Sequence, residues 1–91
     1  MRVVSIDGSR LTDEAAFWRE YLDAVRPDGA EYFGRNLAAF RDAVTAGGPG
    51  WPGEPCRLRI VDHAAAGVGA AFLAKLAEIA GESSGFELEL V

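Results

Sequence analysis

The sequence predicts an α/β domain: a three-stranded parallel sheet with helices packed on one face, in the order β-α-α-β-α-β. Three observations carry this. Strand-like segments stand at residues 2–6, 56–61 and 86–91, and segments with helical spacing separate them. Strands joined through helices run parallel, with right-handed crossovers. In the last two strands, "CRLRIV" and "FELELV", apolar and charged residues alternate. One sheet face is therefore wet, and helices cover only the other.

The elements follow in order. "RVVSI", residues 2–6, is short and β-branched, and Asp7-Gly8 closes it as a turn. Thr12 is the expected N-cap of the first helix, with Asp13 and Glu14 in the first turn, where the helix dipole favours anions. Leu11, Ala15, Trp18, Tyr21, Leu22 and Val25 recur at helical spacing and make its apolar face. Arg26-Pro27-Asp28-Gly29 breaks the chain. Asn36 is the natural N-cap of the second helix, which Gly47-Gly48 closes. A loop rich in Gly and Pro, residues 47–55, leads to "CRLRIV". "DHAAAGVGAAFLAKLAEIAG" reads as a short helical turn followed by a longer helix carrying Phe72, Leu73, Leu76 and Ile79. Phe86, Leu88 and Leu90 then alternate with Glu87 and Glu89 in the last strand. On the wet face Arg57 and Arg59 are expected near Glu87 and Glu89, as a mutually compensating surface.

Composition narrows the function. A chain of 91 residues is expected to form one domain, residues 1–91, with a modest core. No apolar run is long enough for a membrane span, and the N-terminal "MRVVSIDGSR" shows no signal-peptide pattern, so a cytoplasmic protein is expected. The lone Cys56 reads as a small buried hydrophobe. A net charge of −5 disfavours nucleic acid, whose phosphates demand Lys and Arg, and favours a basic partner.

Enzymatic chemistry finds little support. Asp62 and His63 are adjacent, so they do not face each other in regular structure, and no Ser or Cys stands beside them as a nucleophile. Asp42 and Glu78 could form an acid–base pair only in a concave pocket, which three short strands hardly provide. The glycine-rich stretches lack a phosphate-binding pattern. One His and one Cys make no metal site, so no cofactor or metal is expected.

The second helix is different. Leu37, Phe40 and Val44 fall on one side, and Asp42 points nearly opposite. Ala38, Ala39 and Ala46 lie beside it, with Arg35 at the start. The outer face is thus a floor of methyl groups carrying one carboxylate. Small residues let another surface come close, and a lone carboxylate there can be buried against a cation. Before the helix, Gly34 permits close backbone approach. Phe33 is assigned as a staple to the core, which leaves Tyr32 exposed, as interface aromatics often are. Trp51, flanked by Gly and Pro, either joins that surface or folds onto the core. Glu78, away from the Leu73–Leu76–Ile79 side of its helix, alone reads as an ordinary surface acid.

At Tyr32, Phe33, Gly34, Asn36, Leu37, Ala39, Phe40 and Asp42 the sequence resembles the barstar family, intracellular protein inhibitors of secreted microbial ribonucleases. The element order is compatible over nearly the whole chain. The resemblance implies a monomeric inhibitor that forms a 1:1 complex with a small secreted guanyl-type ribonuclease. Asp42 would take the place of the scissile phosphate and Tyr32 would pack on the catalytic histidine. Gly34, Arg35 and Asn36 would complete the rim, with Ala38 and Ala39 on the docking face. Glu78 would contact enzyme cations and Trp51 would stand near the edge. Two positions depart from the family prototype. Ala38 replaces an acid one turn before the key aspartate, and Arg41 replaces a tryptophan just before it. One acceptor is lost and one cation gained, which suits a cleft with fewer arginines or with its own carboxylate near Arg41. The alternative reading is the same fold used to bind another basic protein, such as a different toxin nuclease or a regulator.

Overall fold

The computed structural model describes residues Met1–Val91 throughout. The elements are β1 (Arg2–Asp7), α1 (Glu14–Val25), α2 (Leu37–Ala46), β2 (Cys56–Val61), α3 (Ala70–Glu82) and β3 (Phe86–Leu90). The three strands form one parallel sheet in the order β1-β2-β3. Its register aligns Val4, Leu58 and Leu88 in one row, and Ile6, Ile60 and Leu90 in the next. The apolar rows face the helices, and Cys56, Leu58 and Ile60 of the central strand are fully buried. The opposite face stays open to water. There Arg57 pairs with Glu87 at 2.9 Å and Arg59 with Glu89 at 3.4 Å, as the alternation anticipates. All four side chains are partly exposed, so these pairs stabilise by less than about 1 kcal/mol each. Their main effect is to keep the uncovered face soluble.

The core is dominated by aromatics from four elements and one turn. Trp18 packs edge-on to Phe33 at 5.5 Å, Tyr21 edge-on to Phe40 at 5.7 Å, and Phe40 edge-on to Phe86 at 5.3 Å. Each such residue removes roughly 150–250 Å² from water, a large share of what a small chain can bury. Their polar atoms find partners: Tyr21 donates to the Gly50 carbonyl at 2.9 Å, and Trp18 Nε1 to Glu14 at 3.3 Å.

Two sequence expectations are corrected in α1. The N-cap is Asp13, not Thr12; the Asp13 carboxylate accepts from the Ala16 N–H at 2.8 Å. Thr12 is held instead against the loop before α3, where a side chain at Gly67 would meet its carbonyl at 2.9 Å. Ala15 is exposed, whereas Ala16 and Phe17 are buried, because the sheet and α3 close over a wider stripe than a narrow helical repeat marks. Phe17 contacts Trp18 at 4.8 Å and Phe72 of α3 at 5.3 Å.

One hydroxyl joins three elements near the candidate site. Ser83, just past α3, donates to the Val44 carbonyl of α2 at 2.6 Å. The same oxygen accepts from the N–H groups of Gly85 and Phe86 at 3.1 and 3.0 Å. The ends of α2 and α3 and the start of β3 are thereby fixed to one another.

Candidate partner-binding site

The segment before α2 is anchored by one residue and leaves its neighbours free. A single 3-10 turn spans Ala30–Tyr32. Phe33 is buried between Trp18 and Tyr21, with Gly50 against its ring. That anchor leaves Tyr32, 76% exposed, standing in solvent. Gly34, Arg35 and Asn36 follow, all exposed, and Arg35 lies in the left-handed region at φ 54. Gly34 packs so tightly on the first turn of α2 that a Cβ there would sit 3.0 Å from the Ala39 methyl. Asn36 caps α2 as expected, accepting from the Ala39 N–H at 2.8 Å.

In α2 the buried side is Phe40, Ala43 and Val44, with Leu37 half-buried. Ala38, Arg41, Asp42 and Ala46 are exposed and Ala39 is half-buried. The Asp42 carboxylate makes no hydrogen bond or ion pair within the chain; its backbone carbonyl is engaged by the Gly48 N–H at the helix end. Ala38, one turn earlier on the same stripe, contributes only a methyl. The carboxylate stands alone, and its chemistry is to accept hydrogen bonds from a cation brought to it.

The structure adds two residues that the sequence did not single out. Gly48 follows the left-handed helix stop at Gly47, and a Cβ there would lie 2.9 Å from an Asp42 carboxylate oxygen. Glycine at this position therefore gives the carboxylate its room; the Gly47-Gly48 pair was legible only as a helix stop. Glu82, at the end of α3, holds Arg41 at 3.0 Å. Nothing in the sequence reveals that pairing, which depends on the alignment of α2 against α3. Arg41 is thus not a free cation beside Asp42, because its charge is compensated by the neighbouring helix.

The remaining candidates are more dispersed. Glu78 is exposed on α3, one turn before Glu82, without an ion-pair partner. Trp51 is half-buried and packed against the core, with its ring over Gly85. It borders an open groove with Val44, Thr45, Gly47 and Pro55, so it stands behind the C-terminal end of α2. His63 is tied by Nδ1 to the Val91 carbonyl at 2.9 Å, and Asp62 makes no bond to it. The two open grooves on the surface are lined by neither residue, nor by Asp42 or Glu78. The titrating groups that burial pushes upward, the Tyr21 hydroxyl and the Cys56 thiol, both belong to the core.

Comparison with known proteins decides the family. The family described as Barstar (barnase inhibitor) matches residues 1–83. The chain belongs to the barstar family. The match includes the Tyr32–Asp42 segment, Trp51 and Glu78, and its element order is that of this barstar-family fold. No curated protein sequence matches the chain. No helix is long and apolar enough to cross a membrane.

Proposed function

We propose that this chain is an intracellular ribonuclease inhibitor without catalysis of its own, acting as one domain over residues 1–91. The observation that carries the reading is Asp42: an exposed, unpaired carboxylate on a floor of small residues, beside an exposed tyrosine, in a chain of the barstar family. The partner is a secreted guanyl-type ribonuclease bound 1:1. A ribonuclease cleft is built to hold a phosphate with cations, and Asp42 supplies the anion in its place. Charge-assisted hydrogen bonds in a desolvated cleft are short and strong. Tyr32 covers the cleft's catalytic histidine, Gly34, Arg35 and Ala39 line the contact, and Glu78 meets cations at the rim. Trp51 supports the edge from behind α2. A net charge of −5 speeds the encounter with a basic enzyme.

The Arg41–Glu82 pair shapes the choice of enzyme. Where the prototype has an acid and an aromatic, this surface has a methyl at Ala38 and a compensated cation at Arg41. A cleft with fewer arginines fits it better than a strongly cationic one. Co-expression with candidate secreted ribonucleases tests the reading. Wild type should rescue growth and co-purify with its enzyme, and Asp42→Ala should do neither. Equal rescue by both proteins would refute the phosphate-mimic role. A panel of ribonucleases that all remain active would point instead to another basic protein as partner.

A further inference from the structure

Asn36 is exposed in the middle of the docking surface, yet its side chain is already committed. Its Oδ1 accepts from the Ala39 N–H at 2.8 Å, and its Nδ2 donates to the Gly34 carbonyl at 3.2 Å. One amide therefore reaches forward into α2 and backward across Arg35. The residue it spans is the one held in the left-handed region, at φ 54. That conformation is unfavourable for a side chain as large as arginine and persists only when its surroundings impose it. The close packing of Gly34 on Ala39 is the second constraint on the same turn. The N–H groups of Gly34, Arg35 and Asn36 donate to nothing within the chain, so this exposed turn keeps three backbone donors without an internal partner.

We propose that Asn36 is a positioning residue: its amide clamps the Gly34–Arg35 turn in its docking shape before the partner arrives. This rests on the ribonuclease-inhibitor reading above. Both polar atoms of the amide have tasks within the chain, so Asn36 acts on docking through the turn and not mainly through its own contact. The helix cap and the clamp are separable, because the cap needs only an acceptor and the clamp needs a donor. A turn ordered in advance lowers the conformational entropy lost on association.

Asn36→Asp separates the two functions. Aspartate caps a helix as well as asparagine does, so thermal stability should be retained. It has no N–H to give the Gly34 carbonyl, so the clamp opens. Backbone ¹⁵N relaxation of the free chain reads this directly. Order parameters at Gly34 and Arg35 should be about 0.85 in wild type and fall below about 0.6 in Asn36→Asp. Affinity for barnase, used as the probe ribonuclease and measured in high salt so that the added aspartate charge is screened, should fall about tenfold. Unchanged order parameters would overturn the clamp. A loosened turn with unchanged affinity would overturn its role in docking. Should Asp42→Ala also leave barnase affinity unchanged, or wild type bind no ribonuclease of the co-expression panel, the docking role falls with the inhibitor reading, while the order parameters still decide the clamp.

Discussion

Gly50→Ala tests how the core supports the docking surface. Gly50 has φ +100, a conformation that side-chain-bearing residues rarely adopt, and its carbonyl accepts the buried Tyr21 hydroxyl at 2.9 Å. A Cβ there would stand 2.5, 2.9 and 3.1 Å from three atoms of the Phe33 ring. Phe33 cannot swing aside, because Trp18 and Tyr21 pack on it at 5.5 and 6.1 Å. Backbone strain costs about 1–3 kcal/mol, and overpacking a dense core costs a further ~1–3 kcal/mol. The expected loss is about 2–6 kcal/mol, a large share of a stability of roughly 5–14 kcal/mol for a chain of this length. For a domain of this size, each kcal/mol lowers Tm by about 4–8 °C, so a fall of at least ~8 °C is expected. Thermal unfolding followed by circular dichroism measures it. Because the displaced ring carries Tyr32 with it, inhibition by the folded variant should also weaken. A Tm within about 3 °C of wild type would refute the packing argument.

The other predictions follow from single contacts. Ser83→Ala removes the donor to the Val44 carbonyl and the acceptor of two N–H groups, so urea denaturation should show a loss of about 1–3 kcal/mol. Tyr21 titrates above its ordinary value of 10.0 because burial disfavours the phenolate, so the folded chain keeps a proton that the unfolded chain releases. Its contribution is complete below pH ~10 and is lost as pH rises, with a slope approaching ~1.4 kcal/mol per pH unit. The buried Cys56 thiol acts in the same direction from about its ordinary value of 9.0. Tyr21→Phe should flatten the alkaline slope, while costing about 1–3 kcal/mol at pH 7 because the Gly50 carbonyl loses its donor. Arg41→Ala breaks only a half-exposed pair, so stability should change by less than ~1 kcal/mol. It takes the net charge from −5 to −6 and frees Glu82, so association with barnase at low ionic strength should be faster, with the gain lost in high salt.

The sequence was most informative where one residue and its neighbours suffice. Alternation along "CRLRIV" and "FELELV" gave the parallel rows, the open face and the Arg57–Glu87 and Arg59–Glu89 pairs, since register between strands follows from the buried face. Asn36 as a cap, Phe33 as an anchor and Tyr32 as an exposed aromatic are local outcomes too, and all three were legible. What was hidden depends on contacts between distant segments. Thr12 and Asp13 are both residues that cap helices, so composition places Asp13 in the first turn, and only the Asp13 bond to the Ala16 N–H fixes the start one residue later. Helical spacing with Leu11, Trp18 and Leu22 points Ala15 inward, but the buried stripe runs through Ala16, Phe17 and Trp18, which a single repeat does not anticipate. Glu82 as the partner of Arg41, Gly48 as the neighbour of Asp42, and the second bond of Asn36 all required side chains fixed in space.

Isothermal titration of barnase with wild type and Asp42→Ala, at one low ionic strength, bears on the phosphate mimic most directly. Removing a charge that becomes buried and hydrogen-bonded in a complex costs about 2 kcal/mol or more, a factor of roughly 30 in Kd. Because the Asp42 carboxylate has no partner in the free chain, that loss should appear in binding alone, with the two proteins unfolding at nearly the same temperature. Equal dissociation constants for wild type and Asp42→Ala would contradict it.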